Sequence, residues 1–355
     1  MGQTGFMTLN KLSIAICPIM TEAQAQRLAD ADPRIDVLWE ADLYAPQRFE
    51  GDFEGDPTWR RPPELQARYD AMCDAADALF GLPDFRPSRL RRCVEANPGL
   101  RWVHTMAAGG GAQIKAAKLA PEALERLIVT TSAGIHAIPL AEFALYGVLA
   151  GAKLLPRMQQ LQRDHAWPQR FPVRHVSEMT VAVIGLGGIG RLVAQRFLDL
   201  GARVVGVNRS PRELPGVEVH LDDDLVAVSA EADALINCLP AAVGTEKLIS
   251  AEVLAAAKPG QIIVSLGRGS CIDEEAMIEQ LRSGRLSFAA LDVVAREPLA
   301  DDSPLWDMPN VLLSPHLMAL SGKETDRIID LVAENAKALL DDKPMRNLMN
   351  KELFY

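Results

Sequence analysis

Basic residues, disulfide spacing and membrane-length apolar runs are all scarce in this chain of 355 residues. Lysine and arginine number 37 against 47 aspartates and glutamates, a formal net charge of -10, and no basic stripe offsets that balance. Non-specific attachment to nucleic acid or to an anionic bilayer is therefore disfavoured. The five cysteines, Cys17, Cys73, Cys93, Cys238 and Cys271, are odd in number, widely separated and never in C-x-x-C spacing. That pattern gives neither a disulfide framework nor a zinc site, and reduced, mostly buried thiols are expected. The longest apolar helical stretch, Leu140 to Leu155, contains Glu142 and Lys153 and falls short of the ~20 residues that span a bilayer. It reads as a buried helix. The N-terminus has no basic region leading into a long apolar segment, and Phe6 stands where a myristoylation site needs Ser or Thr. The cytoplasm is the expected compartment.

What is present is an ordinary globular balance, 48% hydrophobic and 24% charged, over a length that predicts two domains. The most informative stretch is Val181-Ala182-Val183-Ile184 followed by Gly185-Leu186-Gly187-Gly188-Ile189-Gly190. An apolar run breaks into G-x-G-x-x-G. The first glycine permits a tight strand-to-helix turn, the second lets a pyrophosphate approach the backbone, and the third lets helix and strand pack closely. Such a motif alone is weak. Here Leu192, Val193, Phe197 and Leu200 recur at helical spacing after it, Gly201 stands at a C-cap position, and a second apolar strand runs from Val204 to Val207. That is the βαβ context which dinucleotide binding requires.

Further short apolar runs, Ala234 to Cys238, Ile262 to Leu266, Ala289 to Val293 and Val311 to Ser314, alternate with helical segments. The alternation predicts an α/β fold with a Rossmann-type doubly wound parallel sheet. Before it, Leu12 to Cys17, Ile35 to Trp39, Ala78 to Phe80, Leu100 to Thr105 and Leu127 to Thr130 make a second series, read as a smaller α/β domain. Tyr44 to Pro63, rich in Pro and Gly, interrupts that series as a surface loop or insertion. Ile328, Leu331, Val332, Ala336, Leu339 and Leu340 predict a C-terminal helix that can pack back on the first domain.

Three strand ends carry chemistry. Ile262 to Leu266 leads into Gly267-Arg268-Gly269, Ala290 to Val293 includes Asp292 and is followed by Glu297-Pro298, and Val311 to Ser314 ends at Pro315-His316. Carboxyl ends of strands face the ligand crevice in such a sheet. A guanidinium offers a fork of donors suited to a substrate carboxylate. Reduction of a carbonyl by a nicotinamide hydride needs a proton for the forming alkoxide, and histidine titrates in the right range. A carboxylate on its other ring nitrogen fixes the tautomer and favours the charged form. Arg268, Glu297 and His316 fit these roles.

With those residues in view, the run from about Val181 to His316 closely resembles the D-isomer-specific 2-hydroxyacid dehydrogenases. The resemblance rests on G-L-G-G-I-G, Leu239-Pro240, Lys258-Pro259-Gly260, Gly267-Arg268-Gly269 with Asp273, Leu291-Asp292-Val293 with Glu297-Pro298, and Ser314-Pro315-His316. It extends more weakly to Trp102 through Gly110, Ala141-Glu142 and Lys343-Pro344, whereas residues 1 to 100 match only in strand and helix pattern. The likeness implies His316 as general acid/base, Glu297 as its partner, Arg268 as substrate clamp and Asp292 on the nicotinamide carboxamide. Backbone amides around Ala108, Gly109 and Gly110 would help hold the substrate carboxylate. The family arrangement also implies a discontinuous, flavodoxin-like substrate domain (1–132 and 319–355), a dinucleotide domain (133–318), and a homodimer formed through the latter.

Two departures stand out. Leu317-Met318-Ala319 follows the histidine where the family often has a glycine pair. At the second strand's end, many members carry an acid for the ribose 2′-hydroxyl, but this chain has Asn208-Arg209-Ser210, with Arg212 nearby. A carboxylate there would repel a 2′-phosphate and an arginine attracts it, so NADP(H) is expected over NAD(H). The expected activity is reduction of a small 2-oxoacid, with glyoxylate or hydroxypyruvate as the nearest substrates. A 3-phosphoglycerate dehydrogenase using NADH is the alternative, disfavoured because no regulatory domain follows the catalytic region. Formate oxidation is disfavoured by Glu297. A nucleotide-sensing protein like the related corepressors is the alternative outside enzymes.

Overall fold

The structure is a computed structural model that describes residues 10–242, 244–352 and 354; Phe6 and the N-terminal motifs lie outside them. Backbone contacts divide the chain into two units. One runs to Ile135 and resumes at Leu320, and the other is His136–Ala319.

The first unit holds strands β1 (Leu12–Ile16), β2 (Ile35–Leu38), β3 (Ala78–Phe80), β4 (Trp102–Thr105) and β5 (Ile128–Thr131). They form an all-parallel sheet in the order β2-β1-β3-β4-β5. Parallel strands are covered on both faces and so read as continuous apolar runs. In β1, Leu12, Ile14 and Ile16 enter one core with the helices Glu22–Ala29 and Glu324–Leu340, while Ala15 faces a second core with Pro63–Asp74 and Pro87–Ala96. The C-terminal helix belongs to this unit through Ile328, Ile329, Val332 and Ala336, the same face that its apolar spacing marks out.

Tyr44 to Pro63 is a mostly exposed segment, as expected, but it is anchored at a few buried points. Tyr44, Ala45, Asp52 and Gly55 are buried, and the Tyr44 hydroxyl donates to the Ile16 carbonyl. Asp52 accepts from Arg48 Nε at 2.7 Å and from the Gly55 amide at 2.9 Å, and the Arg48 guanidinium holds its carboxyl well below the usual carboxylate range. Polar composition concealed a segment braced by its own carboxylate.

The second unit holds β6 (Thr180–Ile184), β7 (Arg203–Val207), β8 (Val217–His220), β9 (Ala234–Asn237), β10 (Gln261–Ser265), β11 (Leu286–Leu291) and β12 (Val311–Leu313). Their order is β12-β11-β10-β9-β6-β7-β8, all parallel. This is the doubly wound sheet expected from the alternation. Val181 and Val183 of β6 enter the core containing Ala137–Ala152 and Gly188–Asp199, and Ala182 and Ile184 enter the opposite one. The expected helix from Leu140 to Leu155 runs instead over Ala137–Ala152 and breaks at Leu154, whose φ of 54° is left-handed, before a second helix at Leu155–Arg163. Among the described residues no single helix is long and apolar enough to cross a membrane. β8 was not among the expected strands: it is a four-residue edge strand with no fully buried residue, too polar to register as an apolar run.

His104, at the centre of β4, is fully buried between Thr130 Oγ1 at 2.8 Å and Ser132 Oγ at 3.0 Å. Burial pushes its pKa from 6.5 down to about 3, so the folded protein keeps the ring neutral. Below pH 6.5 the unfolded chain takes up a proton that the folded one refuses. Stability contributed by the neutral ring is therefore lost progressively as pH falls from about 6.5 to about 3. Chemical unfolding of wild type and His104→Asn across that interval tests this, with a flatter pH dependence expected in the variant and identical slopes counting against it.

Candidate functional site

β6 ends at Ile184, and the chain then turns through Gly185 at φ 92°, a left-handed value that glycine adopts without penalty. The helix Gly188–Asp199 starts at once, capped by Gly187. A Cβ on Gly190 would collide with the Gly185 carbonyl, so close packing of helix on turn needs glycine there. Around Gly187 the opposite holds: a Cβ would meet nothing within 4 Å. Gly188 and Ile189 complete the first turn. The three glycines thus do three different things, and the middle one leaves the backbone open for a pyrophosphate at the N-terminus of a helix of 12 residues. The residues fit a dinucleotide.

At the end of β7, Asn208 Oδ1 accepts from the Leu186 amide at 3.4 Å, and its Nδ2 donates to the Ser210 carbonyl at 2.9 Å. Arg212 Nη1 donates to the Leu186 carbonyl at 2.7 Å. Both side chains tie the β7 end to the glycine turn. Arg209 is exposed and lies close enough to Asp222 for its charge to act there: burial pushes the Asp222 carboxyl up, and the guanidinium pulls it partly back.

Register brings the remaining residues to the same edge. Ile184 of β6 pairs with Asn237 of β9, Asn237 with Ser265 of β10, Ser265 with Leu291 of β11, and Leu291 with Leu313 of β12. Leu239-Pro240, Arg268, Asp292 and His316 each follow one of these ends by one to three residues. Asn237, which sequence reasoning passed over, is fully buried and ties two of them, Leu239 and Arg268, together. Its Nδ2 donates to Ser265 Oγ at 3.1 Å and to the Arg268 carbonyl at 3.0 Å, and its Oδ1 accepts from the Leu239 amide at 3.1 Å. An asparagine closing a buried strand was the available signal. Arg268 itself is half-buried, with Nη1 on the Gly267 carbonyl at 2.8 Å. Asp273 caps the helix Glu274–Ser283 through the Ala276 amide, a structural role within its motif.

Asp292 is only 2% exposed. One oxygen, Oδ1, accepts from Ser314 Oγ at 2.8 Å, from the Leu317 amide at 3.0 Å and from the Met318 amide at 3.2 Å, and the Asp292 carbonyl accepts from the His316 amide at 3.0 Å. His316 sits within this clasp at φ 55°, a left-handed conformation that a non-glycine residue rarely takes. The carboxylate brackets the strained residue with acceptors before and after it. Leu317-Met318-Ala319, the departure from the family pattern, is therefore anchored through its backbone, which any side chain allows.

His316 Nδ1 lies 2.8 Å from Glu297 Oε2, with the two side chains 43% and 39% exposed. Glu297 Oε1 also accepts from the Val294 amide at 3.4 Å. A carboxylate on Nδ1 selects the tautomer protonated there, so Nε2 is the atom left to exchange a proton. Ala108, Gly109 and Gly110 lie in the other unit, in the turn between β4 and the helix Gly111–Ala117. The five cysteines are unpaired, four of them buried, and no group of His, Cys, Asp and Glu able to hold a metal occurs among the described residues.

Residues 145–318 match the family model described as D-isomer specific 2-hydroxyacid dehydrogenase, NAD binding domain. The D-3-phosphoglycerate dehydrogenase of Mycobacterium tuberculosis is 39% identical over 205 residues, 56% of this chain and 38% of that protein, so the chain spans well under half the length of that relative. A glyoxylate reductase of Korarchaeum cryptofilum is 29% identical over 335 residues, 90% of this chain and 97% of its own. A D-isomer specific 2-hydroxyacid dehydrogenase from Xanthobacter autotrophicus, solved with NADPH and MES, superposes with a TM-score of 0.75 at 27% identity, covering 97% of this chain and 100% of that one.

Replacing Asp292 with Ala strips the acceptor from a buried hydroxyl and two amides, and is expected to destabilise the unit by about 2–3 kcal/mol. Asn, which keeps Oδ1, should lose less. Urea unfolding midpoints measure both, and an Ala variant as stable as wild type would remove Asp292 as the brace of the His316 turn.

Proposed function

The chain belongs to the D-isomer-specific 2-hydroxyacid dehydrogenase family, and we propose that it is an NADPH-dependent 2-oxoacid reductase, reversible as a D-2-hydroxyacid dehydrogenase. The observation that carries this reading is the 2.8 Å contact between His316 Nδ1 and Glu297 at the strand edge bearing Arg268 and the glycine turn. A nucleotide-sensing protein has no need of an acid–base pair with one ring nitrogen committed to a carboxylate.

When bound, the reduced nicotinamide supplies a hydride to C2 of the oxoacid. His316 gives the proton on Nε2 to the carbonyl oxygen, so the C=O π pair becomes the alcohol O–H. Glu297 holds the Nδ1 hydrogen and stabilises the charged ring before transfer. Arg268 would pair with the substrate carboxylate. Gly185, Gly187, Gly188, Ile189 and Gly190 would form the pyrophosphate seat, Leu239-Pro240 would flank the nucleotide, and Asp292 would hold the carboxamide.

The cofactor preference rests on Asn208-Arg209-Ser210, where the arginine meets a 2′-phosphate and no carboxylate ends β7. The relative solved with NADPH supports it. Glyoxylate and hydroxypyruvate are the nearest substrates, a reading favoured over phosphoglycerate by the whole-length match to a glyoxylate reductase. Unpaired cysteines accord with the cytoplasm. Dimerisation through the second unit accounts for an apolar surface around the helices Ala137–Ala152 and Leu155–Arg163, where Trp167 is 99% exposed and Ile138, Tyr146 and Met158 stand out from the fold. Monomers rarely leave such a patch uncovered.

Three measurements test the proposal. Native enzyme should show the higher kcat/KM with NADPH, and Arg209→Asp should erase about 1.5–3 kcal/mol of that preference; a native preference for NADH overturns it. His316→Gln should lower kcat by about 10²–10⁴-fold with cofactor affinity nearly intact, and unchanged turnover would refute the acid–base assignment. Sedimentation should give a dimer weakened by about 2 kcal/mol or more in Trp167→Asp, whereas a monomeric wild type excludes the interface.

A further inference from the structure

β7 and β8 pair in parallel with Val207 opposite His220, and the Asn208 amide donates to the His220 carbonyl at 3.1 Å. The chain therefore leaves these two strands side by side at the carboxyl edge of the sheet. From β7 it continues into Arg209, and from β8 into the short turn Asp222–Asp224, three consecutive carboxylates.

Other charged groups at this corner have partners of their own. Glu218 Oε2 lies 2.7 Å from Arg203 Nη2, and its other oxygen lies 3.0 Å from His220 Nε2. Asp224 Oδ2 accepts from the Leu221 amide at 3.4 Å and lies 3.6 Å from His220 Nδ1. On the β7 side, Arg212 is bonded to the Leu186 carbonyl. Asp222 is the partly buried member of its turn, whereas Asp223 and Asp224 are exposed. Burial pushes the Asp222 carboxyl up, and the Arg209 guanidinium across the strand ends pulls it back.

We propose that Asp222 is a specificity-determining residue of the cofactor site, a counter-charge delivered from the end of β8 that opposes a 2′-phosphate and holds the preference for NADPH below what Arg209 alone gives. The inference rests on the reading that Arg209 meets the 2′-phosphate. Two effects act in the same direction. The phosphate has to share the guanidinium with a carboxylate already beside it, and that carboxylate repels the phosphate directly. A cofactor with a free 2′-hydroxyl brings no charge to this corner and meets neither cost. Because the corner is open to solvent, the repulsion is screened, and it amounts to a factor of a few rather than orders of magnitude. Asp222 thereby narrows the gap between the two cofactors from a strand that does not itself carry the arginine.

Equilibrium titration of the full chain with NADPH and with NADH, which differ only in the 2′-phosphate, tests this without turnover. Asp222→Asn should tighten NADPH binding about three- to tenfold and leave NADH binding essentially unchanged. Asp222→Glu keeps the charge and should stay near wild type, and Asp223→Asn, at the exposed neighbour, should move the ratio less than Asp222→Asn does. In an Arg209→Gln background the gain from Asp222→Asn should shrink, because no guanidinium is left to release. High salt should shrink it as well. An Asp222→Asn variant with unchanged NADPH affinity, or one that tightens both cofactors equally, overturns the counter-charge while leaving the NADPH reading standing. A wild type that binds NADH more tightly than NADPH overturns the cofactor reading, and the counter-charge with it.

Discussion

Parallel pairing of the seven strands in the second unit is the constraint on which the rest depends. Parallel strands point one way, so all their carboxyl ends meet one edge, and the helices between them cover both faces. The order reverses between β6 and β9, which opens the place where a ligand enters such sheets. Residues more than 130 positions apart, from Gly185 to His316, reach that edge only because each follows a strand in this register.

Buried polar side chains then convert an edge into a site. Asn237 and Asp292 are both sealed from solvent, and each bonds the backbone of the loops at that edge together with one serine hydroxyl. Unmet, these groups would each destabilise the fold; met, they fix loop geometry more tightly than apolar packing does. The left-handed His316 is tolerated on these terms. Its strain is offset by acceptors from the residue whose strand lies next to its own.

The legibility of this chain followed its burial. Strands covered on both faces, such as β6 and β10, are continuous apolar runs and could be read directly. β8, a half-exposed edge, could not. The break of the apolar stretch at Leu154 is marked only by Pro156, whose ring and missing N–H bar the first helix from running on. In Tyr44 to Pro63, proline and glycine mark a segment that is mostly exposed, and only the buried Asp52, which bonds Arg48 and the Gly55 amide, was without a local signal. Hydrogen bonds between residues distant in sequence carry no local pattern, so the only local signal of Asn237 is a polar residue closing an apolar strand.

By itself the sequence determined the parallel α/β architecture and the glycine turn, and singled out Arg268, Glu297 and His316 as the candidates for catalysis, because periodicity, glycine placement and residue chemistry are local properties. Tertiary structure alone decided that Glu297 meets Nδ1 of His316 and that Asp292 clasps the histidine turn. Those are distances between segments far apart along the chain, fixed by strand register and helix packing.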